Sequence, residues 1–167
     1  MGVDYYTAKW LKRELKVEGG NNLLSLGRQN WWLTEFEAAK LGLNYRPEYA
    51  RVNYADRFFS ELGFNVESLD ISSSEHAEII HDMSQPVDLN LLGKYNVILD
   101  LGTAEHVADQ RQYWENVYNM LVTNGRLVGL SPIDGNCGHG LYQISPEFFA
   151  NMGGFTSKLW ITTYGPL

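Results

Sequence analysis

The run Tyr95 to Leu101 (YNVILDL) constrains the fold more than any other stretch of this chain. It is apolar at successive positions rather than at alternate ones, so a strand built from it must be covered on both faces. Sheets covered on both faces arise where strands alternate with helices along the chain. Five further runs supply strands for that pattern: Asn22 to Leu26 (NLLSL), Asn65 to Ile71 (NVESLDI), Ala77 to His81 (AEIIH), Arg126 to Leu130 (RLVGL) and Lys158 to Thr163 (KLWITT).

Helical signals fill most of the intervals. Over 3–17, Tyr6, Trp10, Leu11 and Leu15 share one side, and Gly19-Gly20 stops the helix. Thr34 and Glu37 stand at capping-box spacing and open a helix ending near Gly42. Pro47 suits the start of a helix over about 48–62, in which Ala55, Phe58, Phe59 and Leu62 follow at i, i+3, i+4 and i+7 before Gly63. A helix from about Asp109 places Trp114, Val117, Tyr118 and Leu121 on its core side and ends at Asn124-Gly125. Ser145-Pro146 caps a short helix that closes at Gly153-Gly154. The expectation is an α/β, Rossmann-like parallel sheet of about six strands with helices on both faces. It forms a single domain over 1–167: an N-terminal helix in 1–20, a ligand-binding core in 22–132, and a loop with a final helix and strand in 133–167.

Composition narrows the function classes. At 167 residues, 44% of them hydrophobic, the chain can bury one substantial core. A formal net charge of −7 disfavours non-specific binding to phosphate backbones, so no nucleic-acid partner is expected. Cys137 is the only cysteine, which excludes an intrachain disulfide and fits a reducing compartment. No apolar run reaches the length a bilayer needs, and 1–17 lacks a signal-peptide core. A soluble, cytoplasmic protein without a membrane partner is the expectation. The four histidines show no H-x-H or H-E-x-x-H spacing, so no metal is expected. There is no Walker loop and no G-x-S-x-G elbow.

In an open parallel sheet, ligands bind beyond the carboxyl ends of the strands, near the point where strand order reverses. The residues to weigh are therefore Gly27, Arg28 and Gln29 after the first strand, and Asp70 and Ile71 closing the second. Asp82 and Met83 follow the third strand, and Gly102, Thr103, Glu105 and His106 follow the fourth. Asp70 is placed to accept hydrogen bonds from two ribose hydroxyls, and Asp82 to meet an adenine amino group. Each Asp reads equally as a turn former or helix cap, and both readings stay open.

Several segments together resemble one family: HDMSQP (His81 to Pro86), YNVILDLGTAEHV (Tyr95 to Val107) and GHGLYQISPEFF (Gly138 to Phe149), with LLSLGRQ and FFSELGFNVESLDIS upstream. They are similar to a group of bacterial class I methyltransferase-like proteins with HDLN-P, D-GGTLEHV and HGFYQFSPE-F motifs. The resemblance covers about 22–150. It implies a class I methyltransferase fold with an S-adenosylmethionine site. Residue by residue, it places Gly27, Arg28 and Gln29 at the methionine end of the cofactor, Asp70 at the ribose and Asp82 at the adenine. Gly102 and Thr103 line the channel where the methyl group is presented. The chain departs from that pattern in four ways. Asp70 lies far beyond the roughly 20-residue offset expected after a dinucleotide-type glycine loop. Only Gly27 remains of a glycine-rich loop, Leu101 replaces a glycine before Gly102, and the chain ends after a sixth strand, so the seventh is expected to be missing.

Methyl transfer requires mainly alignment, and a base only where the acceptor carries a proton. His106 is the best placed base, and it reads equally as a packed helix-start histidine. Glu105 orients an acceptor hydroxyl or is a solvated first-turn carboxylate. His139 and Tyr142, in a loop loosened by Gly135, Gly138 and Gly140, form an acceptor-facing lid or an ordinary packed loop. Trp31 and Trp32 floor a pocket or anchor the next helix. Cys137 is expected to be a bystander. The leading expectation is S-adenosylmethionine-dependent methyl transfer to a small-molecule or sugar-containing acceptor. The alternative is a non-catalytic binding module with an eroded cofactor loop. An NAD-dependent oxidoreductase is disfavoured by the missing G-x-G-x-x-G. An exposed edge of a shortened sheet makes homo-oligomerisation an expectation to test.

Overall fold

The computed structural model describes residues 2–44, 54–133, 135 and 137–152. The elements begin with β1 (Gly2–Val3), α1 (Tyr5–Glu14), β2 (Asn22–Leu26), β3 (Asn30–Trp31), α2 (Glu35–Lys40), α3 (Asp56–Glu61) and β4 (Asn65–Asp70). They continue with β5 (Ile79–Ile80), β6 (Tyr95–Asp100), α4 (Gln110–Met120), β7 (Leu121–Gly129) and α5 (Pro146–Asn151). The main sheet runs β5-β4-β2-β6-β7 and every pairing in it is parallel. Numbered along the chain, these five strands stand in the order 3-2-1-4-5, the doubly wound Rossmann-like arrangement. The order reverses between β2 and β6. β1 and β3 form a separate parallel pair.

The double coverage expected of YNVILDL is met by two apolar clusters. On one face Leu23, Val97, Leu99 and Leu101 pack with Ala8, Leu11 and Leu15 of the α1 region and with Phe58 and Phe59 of α3. On the other, Leu24, Leu26 and Ile98 pack with Tyr113, Trp114, Val117 and Met120 of α4. Alternate residues of β2 thus feed opposite clusters, as the pleat requires.

Several boundaries differ from the sequence reading. The first helix is shorter, because Asp4 caps it by accepting from the Thr7 N–H at 2.8 Å. Its buried side is Ala8 and Leu11, and Tyr6 is exposed. In α4, Tyr118 is likewise exposed, while Tyr113 and Met120 lie inside. That helix ends at Met120, ahead of Asn124-Gly125. β7 starts at Leu121, and Asn124 takes a left-handed φ of 65° within it. There the register jumps from Tyr95↔Leu121 to Val97↔Arg126, so the turn pair bulges out of the ladder. β5 holds only two residues. The Glu78 carboxylate accepts the Ser68 N–H at 2.8 Å, which a longer β5 would have bonded. The expected strand Lys158 to Thr163, the helix start at Pro47 and the stop at Gly153-Gly154 lie outside the described residues. Among the described residues no helix is long and apolar enough to cross a membrane.

The capping box forms as its spacing requires: Thr34 Oγ1 accepts from Glu37 N–H, and the Glu37 carboxylate accepts from Thr34 N–H at 2.9 Å. Thr34→Ala is expected to lower stability by about 1 kcal/mol, the usual worth of such a cap. Urea denaturation followed by tryptophan fluorescence measures it.

Candidate functional site

Parallel strands end on the same rim, so the turns carrying Gly27, Asp70, Asp82 and Gly102 all open on one edge of the sheet. Gly27 and Gly102 flank the switch between β2 and β6. The Gly27 N–H donates to Leu69 O at 2.7 Å, and its φ of 72° is left-handed. A Cβ at Gly27 would stand 3.1 Å from Thr103 Oγ1, so glycine permits the close approach of the two strand ends. The Thr103 hydroxyl donates to Leu26 O at 2.8 Å and ties the two strand ends together.

Both expected aspartates are turn formers here. Asp70 Oδ1 accepts from Ser72 N–H at 3.0 Å, and Asp82 Oδ1 accepts from Ser84 N–H at 2.8 Å. Among the described residues nothing else bonds either carboxylate, so each retains an oxygen for a ligand. Ile71, next to Asp70, is exposed.

Three residues expected at the ligand are engaged with the protein itself. Arg28 is not free for a cofactor carboxylate: it pairs with Asp56 at 2.5 Å, stacks over Tyr54, and donates to the carbonyls of Glu75 and His76. It straps the turn after β2 to the segment after β4. Burial pushes the Asp56 carboxyl up, against the pull of Arg28. Gln29 is buried and turned inward, donating to Leu26 O and Gly27 O at 3.3 and 3.2 Å, because it has to satisfy the turn it follows. Met83 is buried in the cluster shared with α4, since its neighbour Asp82 takes the turn and leaves the apolar side chain to the core.

Asp100 is the organising residue that the sequence reading passed over. Its Oδ1 accepts from the N–H groups of Gly102 and Thr103 at 3.0 and 2.7 Å. Its Oδ2 accepts from Ala104 N–H at 3.3 Å and from the Tyr113 hydroxyl at 2.6 Å. Burial pushes this carboxyl up, while those four donors pull it down. The available signal was an ionisable residue inside an otherwise apolar strand, which demands partners. Gln110 adds a second brace, donating to Ala104 O and Val107 O at 2.6 and 2.8 Å.

The turn so braced carries Glu105 and His106. Glu105 is fully buried rather than solvated, and neither carboxylate oxygen has a hydrogen-bond partner among the described residues. Burial pushes its carboxyl up and the charge of Asp100 adds to this, against its own backbone N–H and, more weakly, the two imidazoles. The loop after β7 brings His139 to it. Glu105 O accepts from Leu141 N–H at 2.7 Å and from Tyr142 N–H at 3.1 Å, and the Tyr142 hydroxyl donates to Ala108 O at 2.8 Å. His139 Nε2 then lies 3.6 Å from Glu105 Oε1, and His106 Nε2 lies 4.0 Å from the same oxygen. The two imidazoles meet edge to face at 5.0 Å, and both are about half exposed. Tyr142 is therefore a loop anchor. Sequence spacing could not bring His139 to Glu105; only the fold does.

Trp31 packs against Phe58 at 5.4 Å as a helix anchor, whereas Trp32 and Cys137 are exposed. A shallow apolar groove lined by Trp114, Phe148 and Met152 runs between α4 and α5, and none of the strand-end residues lines it.

No protein-family model and no curated protein matches the chain. Among solved structures the chain is similar to the citrinin polyketide synthase CMeT domain, at 17% sequence identity and a TM-score of 0.46. That match covers 78% of this chain and 34% of the other, so this chain spans about a third of the length of the protein it resembles.

Proposed function

We propose that the chain is an S-adenosylmethionine-dependent methyltransferase acting on a small-molecule or sugar-containing acceptor. The observation that carries this reading is the shared rim: the turns at Gly27, Asp70, Asp82 and Gly102 follow parallel strands of one sheet, and those at Gly27 and Gly102 flank the β2–β6 switch. The motif resemblance over 22–150 supports it. The reading draws on Asp70 and Asp82, which keep carboxylate oxygens outside their own turns.

In this reading Asp70 holds the ribose hydroxyls, Asp82 the adenine amino group, and the backbone at Gly102 and Thr103 borders the reacting end. Bound there, the donor supplies a methyl group already activated on a sulfonium. The work of the chain is then alignment and exclusion of water. His106, half exposed and two residues past the Gly102–Ala104 turn, accepts the acceptor's proton where one must leave. The loop carrying His139 and Tyr142 covers the acceptor.

Calorimetry on the full chain tests the reading. Saturable binding of S-adenosylhomocysteine is expected, with no heat from NAD. Asp70→Ala is expected to weaken it by about 10-fold or more, the cost of a charge-assisted hydrogen-bond pair at roughly 1.5–3 kcal/mol. A folded protein that gives no heat with S-adenosylmethionine or S-adenosylhomocysteine defeats the proposal. A second reading, a non-catalytic binding module, draws on Arg28. Its strap to Asp56, Glu75 and His76 spans two of the strand ends a donor would use. That reading expects no heat from the wild type.

A further inference from the structure

Glu105 poses a problem that the rest of the site does not solve. A buried carboxylate without a hydrogen-bond partner is costly: it takes up a proton or is compensated by a cation. Among the described residues no lysine or arginine pairs with it, and what converges on it instead is two imidazole nitrogens, at 3.6 and 4.0 Å from one oxygen. Two imidazoles aimed at one carboxylate oxygen exceed what a single ion pair needs.

We propose that Glu105, His106 and His139 form a binding site for one divalent transition-metal ion, with His106 then a ligand in place of the proton acceptor named above. The three ligand atoms lie within 4.8 Å of one another. Donors sharing one ion at about 2.0–2.1 Å stand roughly 3–3.5 Å apart, so the closure required is a fraction of an ångström to about 1.5 Å. The half-exposed imidazoles supply it by rotation, since Glu105 is fixed by its burial. The ligand set, two neutral imidazoles and a carboxylate, suits zinc and the open-shell first-row ions rather than magnesium or calcium. Three protein ligands leave coordination positions for a small oxygen donor, as in catalytic rather than structural sites.

The surroundings are preorganised for the role. Asp100 and Gln110 brace the turn that carries Glu105 and His106, and the bonds from Leu141 and Tyr142 to Glu105 O hold His139 in reach. Gly140 packs so closely that an added Cβ would meet Glu105 Cγ at 2.8 Å. The exposed imidazoles give an ion a path from solvent.

The test uses the full chain with the metal alone. Titration with Zn²⁺ by calorimetry is expected to show one ion per chain, and Co²⁺ is expected to give visible d–d absorption that Zn²⁺ displaces. His139→Ala and His106→Ala, both at half-exposed positions and checked for folding by circular dichroism, are each expected to weaken binding. The loss should exceed the roughly 10- to 100-fold that removing even an outer hydrogen-bond partner costs a metal site. His81→Ala, outside the cluster, is expected to change nothing. Absence of saturable binding, or binding unaltered in both histidine variants, overturns the site and leaves a carboxylate–imidazole ion pair. No methyl donor is present in this experiment, so its outcome is independent of the donor titration.

Discussion

Asp100→Ala is expected to lower stability by about 3 kcal/mol or more, far beyond an ordinary surface change. Each buried donor left without an acceptor costs about 1–3 kcal/mol. Four donors converge on this carboxylate. Water can reach part of the Gly102 and Thr103 turn, but Tyr113 is fully buried and its hydroxyl has nowhere else to turn. Tyr113→Phe removes the donor together with its need for a partner and is expected to cost only about 1 kcal/mol. Urea midpoints of both variants measure the difference. Equal losses would show that the turn does not depend on Asp100. The same experiment bears on function, because this turn sets both the Gly102 edge of the crevice and the position of Glu105.

Gly140→Ala is expected to release the loop after β7. The residue sits at a φ of 75°, where a side chain costs about 1–2 kcal/mol. An added Cβ would meet not only Glu105 Cγ but Glu105 O at 2.9 Å, and backbone cannot rotate aside. The Leu141 and Tyr142 bonds to that carbonyl would break, each worth about 1 kcal/mol. A total near 3 kcal/mol is expected, with amide exchange accelerated at Leu141 and Tyr142 and unchanged in β2 and β6. Gly138→Ala is the control. Its φ of 84° carries the same backbone cost, but among the described residues an added Cβ there has no neighbour within 4 Å. Identical behaviour of the two variants would mean that the loop is not docked on Glu105.

The sheet was legible in the sequence because its strands are short apolar runs bounded by turn residues. NLLSL is a strand over the expected residues, and NVESLDI and YNVILDL each lose only their last residue. The capping box at Thr34 was equally readable, since it depends on two residues three apart. Helix faces were less so. Tyr6 and Tyr118 satisfy a hydrophobic count yet point outward, because a tyrosine tolerates exposure and smaller neighbours such as Ala8 fit the close contact with the sheet. The site was readable only in outline. Chain order places Gly27, Asp70, Asp82 and Gly102 at strand ends, but the partner of Arg28 lies 28 residues away, and that of Glu105 lies on another loop. Pairings of that kind are set by tertiary packing and leave no local periodicity. Spacing rules could not bring His139 beside Glu105 for the same reason.

The strand order also imposes a timetable on synthesis. β2 lies at the centre of the sheet, yet one of its two neighbours, β6, is translated about seventy residues later, with Leu23 facing Val97. A ribosome that has released β4 has delivered an apolar strand with one bare edge, and nothing in the emerged chain matches it. The nascent protein must stay soluble, or be shielded by chaperones, until Tyr95–Asp100 clears the exit tunnel and closes that gap.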